Sequence, residues 1–462
     1  MQTRPPIVVI LGHVDHGKTF LLDALCKTNI ASREVGGITQ STHAFQTNGI
    51  TFIDTPGHAA FSQMRSRGAD IADIAILVIS AVDGVMPQTK ESIATIKSAG
   101  IPMIVAINKM DLPGASADTV KSQLVENAVL VEGFGGDVPA IPVSAKTGQG
   151  LPELLEMVHL VSSLQPPVSD PSGSLECIVL ESHLDTRRGP LAMCIVKNGT
   201  LKVGQELFSD KLVGKAKALS VNPALPSTPV EILGLTSVVP VGSVLSSAIT
   251  KISPPFVPPL NLRGGNPALP AGRPKGEGDI VKIILKADTL GSLEAITSLL
   301  PPEVNLISSA TGEVTESDIL FATSTNSQII AFNVKIPGST AKLAEIDKVK
   351  IHSFNVIYEL LDAIEKLVHP QETETITGRA QILAGFKIDN LRVAGGKCTE
   401  GEILKTNSIK IGDKITKIKS LKIGKAEVEK IKTGQEFGAV FSPPVDFKTG
   451  DIIIAVTIHG AS

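Results

Sequence analysis

Eight residues, Gly12-His13-Val14-Asp15-His16-Gly17-Lys18-Thr19, carry the spacing Gly-x-x-x-x-Gly-Lys-Thr, which suits a nucleoside triphosphate. Glycines let the backbone turn tightly around phosphate oxygens, and amides at a helix N-terminus supply partial positive charge. Lys18 reaches the β- and γ-phosphates, and the Thr19 hydroxyl is a ligand for Mg²⁺. Asp54-Thr55-Pro56-Gly57-His58 adds a carboxylate that holds Mg²⁺ through water and a Gly57 amide for a γ-phosphate. In Gly36-Gly37-Ile38-Thr39-Gln40, Thr39 offers Mg²⁺ a second hydroxyl and senses the γ-phosphate. Asn108-Lys109-Met110-Asp111 and Ser144-Ala145-Lys146 choose the base. The Asp111 carboxylate accepts from both N1–H and the 2-amino group of guanine, whereas adenine would leave it unpaired. Asn108 ties this loop to the phosphate loop, the stem of Lys109 covers the base, and the Ala145 amide donates to O6. The expected ligands are GTP or GDP with Mg²⁺.

Groups of this kind belong at the carboxyl ends of parallel strands. From residue 7 to 164 apolar runs alternate with helix-period segments, and 7–11, 50–53, 74–80, 103–107 and 140–143 each end in a polar cluster. Residues 1–164 are therefore expected to form a P-loop GTPase domain.

The length of 462 residues calls for several domains. Charged content of 19% with net charge −3 describes an ordinary globular chain, so an RNA partner has to be met by a local patch. With no Trp and one Tyr, Tyr358, recognition built on stacked bases is disfavoured. Cys26, Cys177, Cys194 and Cys398 show no metal or disulfide spacing, which fits a reducing compartment. No apolar run approaches a membrane span and residues 1–6 carry no targeting signal, so no membrane partner is expected. An organellar chain lacking its presequence would read the same.

Residues 165–174 read as a linker by composition. Strand-period segments at 175–180, 191–196, 213–219 and 230–233 predict a β-barrel over 172–252. A Pro/Gly-rich stretch, 253–278, reads as an extended linker. Strands at 280–286 and 329–334 and helices at 291–300 and 355–368 predict a small α/β/α sandwich over 279–368, and period two returns over 376–462 as a C-terminal β-barrel. That barrel holds Lys405, Lys410, Lys414, Lys417, Lys419, Lys422, Lys425, Lys430 and Lys432, which read either as a solvated edge or as an RNA patch. The fold class expected is multidomain α/β plus β.

The four nucleotide motifs together resemble the translational GTPases, and residues 4–19 with 36–40 resemble bacterial and organellar translation initiation factor 2. The resemblance implies that His58 is catalytic, positioning the attacking water, and that Val14 and Ile38 gate it. Segments 181–190 and 197–204 are similar to the family's second domain, which contacts the small ribosomal subunit. Segments 286–295 and 316–318 resemble its third domain, absent from elongation factors. In the family the last barrel holds the aminoacyl end of formylmethionyl initiator tRNA; the matching segments are 393–401 and 434–438, with Thr399 and Glu436 retained and Gly396 and Phe437 standing where Cys is common. Residues 252–278 depart from the longer charged connector of the family.

The resemblance thus implies a ribosome-stimulated GTPase that stabilises initiator tRNA on the small subunit and promotes joining of the large one. It would act as a monomer in the bacterial cytoplasm, or in the mitochondrial matrix or another organelle. Two alternatives are an elongation-type aminoacyl-tRNA carrier, which predicts two barrels directly after the GTPase domain, and a GTPase regulatory subunit of a metabolic enzyme such as sulfate adenylylation, without RNA binding.

Overall fold

Ile7, Val9 and Leu11 turn one way from the strand Ile7–Gly12 and Val8 and Ile10 the other, and all five are fully buried, so this strand needs cover on both faces. One face packs on the helices Ser62–Ile71 and Pro87–Ala99 through Ala69, Ile71, Ile93 and Ile96. The other packs on Lys18–Cys26 and Leu151–Leu164 through Leu21, Leu22, Leu154 and Val158. Across the sheet the order is His43–Thr47, Ile50–Asp54, Ile7–Gly12, Ile74–Ser80, Met103–Asn108, Ala140–Pro142. All pairs are parallel except the first, where His43–Thr47 folds back through Asn48-Gly49, both left-handed at φ 50° and 70°.

A computed structural model describes residues 1–29, 31–34, 38–248, 281–368, 373–388, 391–412, 414–424 and 426–459. Gly36, Gly37, Lys425 and the expected linker 253–278 lie outside the described residues. Two units are formed, Met1–Ile364 and Glu365–Ser462. Among the described residues no helix is long and apolar enough to cross a membrane.

The expected linker at 165–174 is instead tied down. Val168–Ser169 pairs with Gln2–Thr3, and the Asn198 amide side chain accepts from Asp170 N and donates to Ser174 O. Extended Pro/Ser-rich backbone can satisfy its polar groups on a neighbour, which composition does not reveal.

The first barrel runs Glu206–Phe208, Leu212–Leu219, Pro229–Leu235, Gly189–Asn198, Glu176–Asp185, Val244–Leu245, and a Phe208–Ser246 bridge closes it. Arg187 and Arg188 sit exposed at its Asp185–Gly189 hairpin tip, where Asp185 accepts both of their amides. A buried joint fixes this barrel to the GTPase domain. Arg4 donates to both carboxylate oxygens of Asp73 at 2.7 Å and to Ser227 Oγ at 3.1 Å, while Lys197 Nζ donates to Ile71 O at 2.6 Å. Burial alone would raise the Asp73 carboxyl, but the Arg4 guanidinium holds it below its ordinary value.

Residues 281–368 form a four-stranded parallel sheet in the order Val304–Thr311, Val281–Ala287, Gln328–Phe332, Ile351–Phe354, with helices Leu290–Leu299, Glu316–Thr325, Gly338–Ile346 and Ile357–Val368. Two strands and two helices are thus added to the expected sandwich. Polar contacts among those that bind it to the preceding domains come from three places. Arg67 meets Glu294 at 2.6 Å, buried Glu181 accepts the Gly291 amide at 3.1 Å, and Gln40 brackets the start of the last helix.

In the second unit six strands close a barrel in the order Thr373–Ile388, Ile452–His459, Ser408–Ile411, Lys414–Ile423, Glu436–Ser442, Leu391–Leu404 and back to the first. Its core is built on Ile382, Ala394, Ile409, Leu421, Phe437 and Ile453.

Candidate nucleotide site

The strand Ile7–Gly12 delivers the chain into the loop 13–17 and the helix Lys18–Cys26, so the first helical amides face the loop's interior. Gly17 turns the chain with φ +83°. Lys18 Nζ donates to His13 O at 2.7 Å, and the Val14 amide donates to Gln88 Oε1 at 3.0 Å. His16 is fully buried with Nδ1 3.3 Å from Val78 O, and burial drives its imidazole down to about 4, so it is a neutral structural group. Its ring meets His13 edge to face at 5.1 Å.

Thr19, Thr39 and Asp54 converge. Thr19 Oγ1 lies 2.5 Å from Thr39 Oγ1 and donates to Asp54 Oδ2 at 3.0 Å, and Asp54 Oδ1 is buried without a hydrogen-bond partner. Two hydroxyls and an orphaned carboxylate oxygen are a hard-oxygen donor set, and that chemistry fits Mg²⁺. Thr39 also donates to Glu34 Oε2 at 3.0 Å. Burial pushes the Asp54 carboxyl up to about 6 and the Lys18 ammonium down to about 8, each opposed by the other's charge. Phosphate and a divalent cation would further favour the charged forms of both groups. Gly57 presses against this end of the site: a methyl placed on it would lie 2.3 Å from Lys18 Nζ and 2.9 Å from Val14 N.

These groups open on a cavity of about 770 Å³ lined at one end by Val14, Asp15, Lys18, Ile38 and Gly57 and at the other by Asn108, Lys109, Asp111, Ala145 and Lys146. Asn108 Nδ2 donates to His16 O at 3.0 Å, which joins the two loops. Ser144 Oγ donates to Asp111 Oδ1 at 2.7 Å, holding that exposed carboxyl below its ordinary value. The Ala145 amide, expected to serve O6 of the base, donates to Asn108 Oδ1 at 3.1 Å, so that side chain spans both loops.

His58 lines the same cavity. Its Nδ1 accepts from Ala60 N at 2.9 Å, capping a short 3₁₀ turn, and burial, then the Arg65 charge, lower its pKa. Arg65 escaped sequence reasoning. It is 1% exposed and donates to the carbonyls of Pro56 and His58 and to Glu91 Oε2, so it holds the strand-end loop in shape. The available signal was a charged residue on a helix stripe otherwise made of Phe61, Met64 and Gly68. Arg65→Met should cost about 2–3 kcal/mol by stranding two buried carbonyls. Hydrogen exchange would show lost protection confined to residues 56–65.

The Elongation factor Tu GTP binding domain family matches residues 3–163, Elongation factor G domain 2 matches 174–248, and Translation-initiation factor 2 matches 271–365. Translation initiation factor IF-2 of Halothermothrix orenii is 40% identical over 499 aligned positions, covering 99% of this chain and 72% of that protein. The chain belongs to the translation initiation factor IF-2 family. The IF-2 of Desulforamulus reducens is 42% identical over 99% of this chain but only 50% of its own length, and that of Carboxydothermus hydrogenoformans is 40% identical over 99% and 60%. The chain thus spans little more than half the length of many IF-2 relatives. The crystal structure of GDP-bound aIF5B from Aeropyrum pernix shares the fold, with TM-score 0.51, 24% identity, and coverage of 98% of this chain and 92% of that one.

Against the IF-2 pattern, Gly396 and Phe437 turn out to be direct cross-strand partners. Phe437 points into the barrel core, and a methyl on Gly396 would lie 3.0 Å from its ring and 3.0 Å from Gln381 O. The Phe437 ring thus fills the space that a side chain on Gly396 would take. Gly396→Cys should destabilise the barrel by about 1–3 kcal/mol, and less in a Phe437→Cys background. Denaturation of the four chains of that cycle checks it. Thr399 and Glu436 lie exposed on adjacent strands, with Lys397 opposite Glu436 and Thr399 Oγ1 donating to Arg379 O at 3.0 Å. Of the lysines, Lys405 pairs with Glu427 and Lys432 with Glu402, while Lys417, Lys419 and Lys422 are exposed along one strand.

Proposed function

We propose that this chain is a GTP-hydrolysing translation initiation factor of the bacterial cytoplasm, acting as a monomer. It stabilises initiator tRNA on the small ribosomal subunit, promotes joining of the large subunit and leaves on hydrolysis. The observation that carries the reading is one cavity with Lys18, Thr19 and Thr39 at one end, backed by buried Asp54, and Asp111, held by Ser144, at the other. Lys18 and the loop amides bind the phosphates, Asp111 selects guanine, and the Gly57 amide contacts the terminal phosphate. Mg²⁺ held by Thr19, Thr39 and, through water, Asp54 would neutralise charge developing on the phosphate oxygens. Neutral His58 orients the attacking water, with Arg65 fixing its backbone. Thr399 and Glu436, beside the exposed lysines, contact the aminoacyl end of the initiator tRNA.

The sandwich at 281–368 directly after the first barrel speaks against an elongation-type carrier, and nothing favours a metabolic regulatory subunit. Filter binding with labelled formylated and unformylated initiator tRNA, across a salt series, tests the reading. Salt-sensitive retention of tRNA and of ribosomal subunits is expected; absence of both would overturn it.

A further inference from the structure

His58 is gripped from two sides. Its Nδ1 accepts the Ala60 amide, so in the neutral ring Nε2 carries the hydrogen. The ring itself stands edge to face with Tyr358, centroids 4.3 Å apart and planes at 83°. Tyr358 belongs to the first turn of the helix Ile357–Val368, in a different domain. Any swing of the imidazole about its side-chain bonds breaks both contacts together.

That helix start is held by the nucleotide-sensing loop as well. Gln40, next to Thr39, accepts from Ile357 N at 3.1 Å and donates to Asn355 O at 2.9 Å. Both loops that border the terminal-phosphate end of the cavity therefore hold one helical turn, and displacement of either moves Tyr358 against His58. Tyr358 is 44% exposed, so the pair is a surface contact that can part without opening a core.

We infer that Tyr358 is a positioning residue for hydrolysis, a latch that parks the His58 ring away from its working orientation until the Gln40 loop shifts the helix. This rests on the proposed role of His58. An aromatic pair of this geometry is worth a factor of about two to ten in a two-state equilibrium, which sets the size of the effect.

Tyr358→Leu should raise GTP turnover without ribosomes about two- to tenfold, while Tyr358→Phe, which keeps the ring edge, restores restraint. Adding His58→Ala to Tyr358→Leu should remove the gain. Tyr358 is the single tyrosine, so chain grown on 3-fluorotyrosine gives one ¹⁹F resonance reporting this residue alone. That resonance should move on exchanging GDP for a non-hydrolysable GTP analogue, and Gln40→Ala should reduce the difference. Unchanged or lowered basal turnover in Tyr358→Leu, or a resonance insensitive to the nucleotide, overturns the latch. Failure of His58 itself would be seen separately, as undiminished ribosome-stimulated turnover in His58→Ala.

Discussion

Asp111→Asn is expected to lower affinity for GTP about a thousandfold and to turn the preference toward xanthosine triphosphate. In the proposed complex the carboxylate would accept two hydrogen bonds from guanine with full charge, and Ser144 keeps it oriented at 2.7 Å. An amide there retains one acceptor and sets its own N–H against the 2-amino group, so one donor pair is stranded in contact with the protein. Each stranded group costs about 1–3 kcal/mol, and lost charge assistance adds to it. Xanthine carries a 2-oxo group that the amide can serve. Competition of GTP and xanthosine triphosphate against labelled GDP reads the switch directly, and an unchanged guanine preference would sink the assignment.

His58→Ala is expected to reduce ribosome-stimulated hydrolysis about 10²–10⁴-fold, the usual scale for a positioned group acting on the attacking nucleophile. Nucleotide affinity should stay within a few-fold. The reason is local: the hydrogen bonds of His58 run to Ala60, Phe61 and Arg65, and none runs to Lys18, Thr19, Asp54 or Asp111. Equilibrium binding and single-turnover hydrolysis on the same samples separate the two quantities. A large loss of affinity would show that His58 shapes the phosphate site.

The central strands of the GTPase sheet were legible because burial on both faces demands unbroken apolar runs, as in Ile74–Ser80. The edge strand His43–Thr47 was not, since its mixed polar sequence takes its conformation from pairing with Ile50–Asp54. Leu391–Leu404 was hidden for a related reason: Gly395, Gly396 and Gly401 look like breaks, yet the space at Gly396 is used by Phe437 from the next strand. Motif spacing gave the residues at both ends of the cavity, because phosphate and guanine recognition depends on short local geometry. Arg65, Tyr358 and the partners of Gln40 meet the site through contacts of 7 to 317 residues in sequence separation or through ring pairing, which no local period encodes.

The Arg4–Asp73 joint has a kinematic consequence. A bidentate pair with side chains 7% and 19% exposed, backed by Lys197 and Ser227, is poorly screened by salt and has little freedom to shear. The GTPase domain and the first barrel are then expected to travel as a single body. The sandwich is attached differently, by the enclosed Arg67–Glu294 pair and the buried Glu181–Gly291 bond on one side and by half-buried Gln40 and exposed Tyr358 on the other. A fixed axle with a free rim permits one rotation and little else. Distances between labels on the GTPase domain and the first barrel should stay constant through the nucleotide cycle, while those from either to residues 339–360 change.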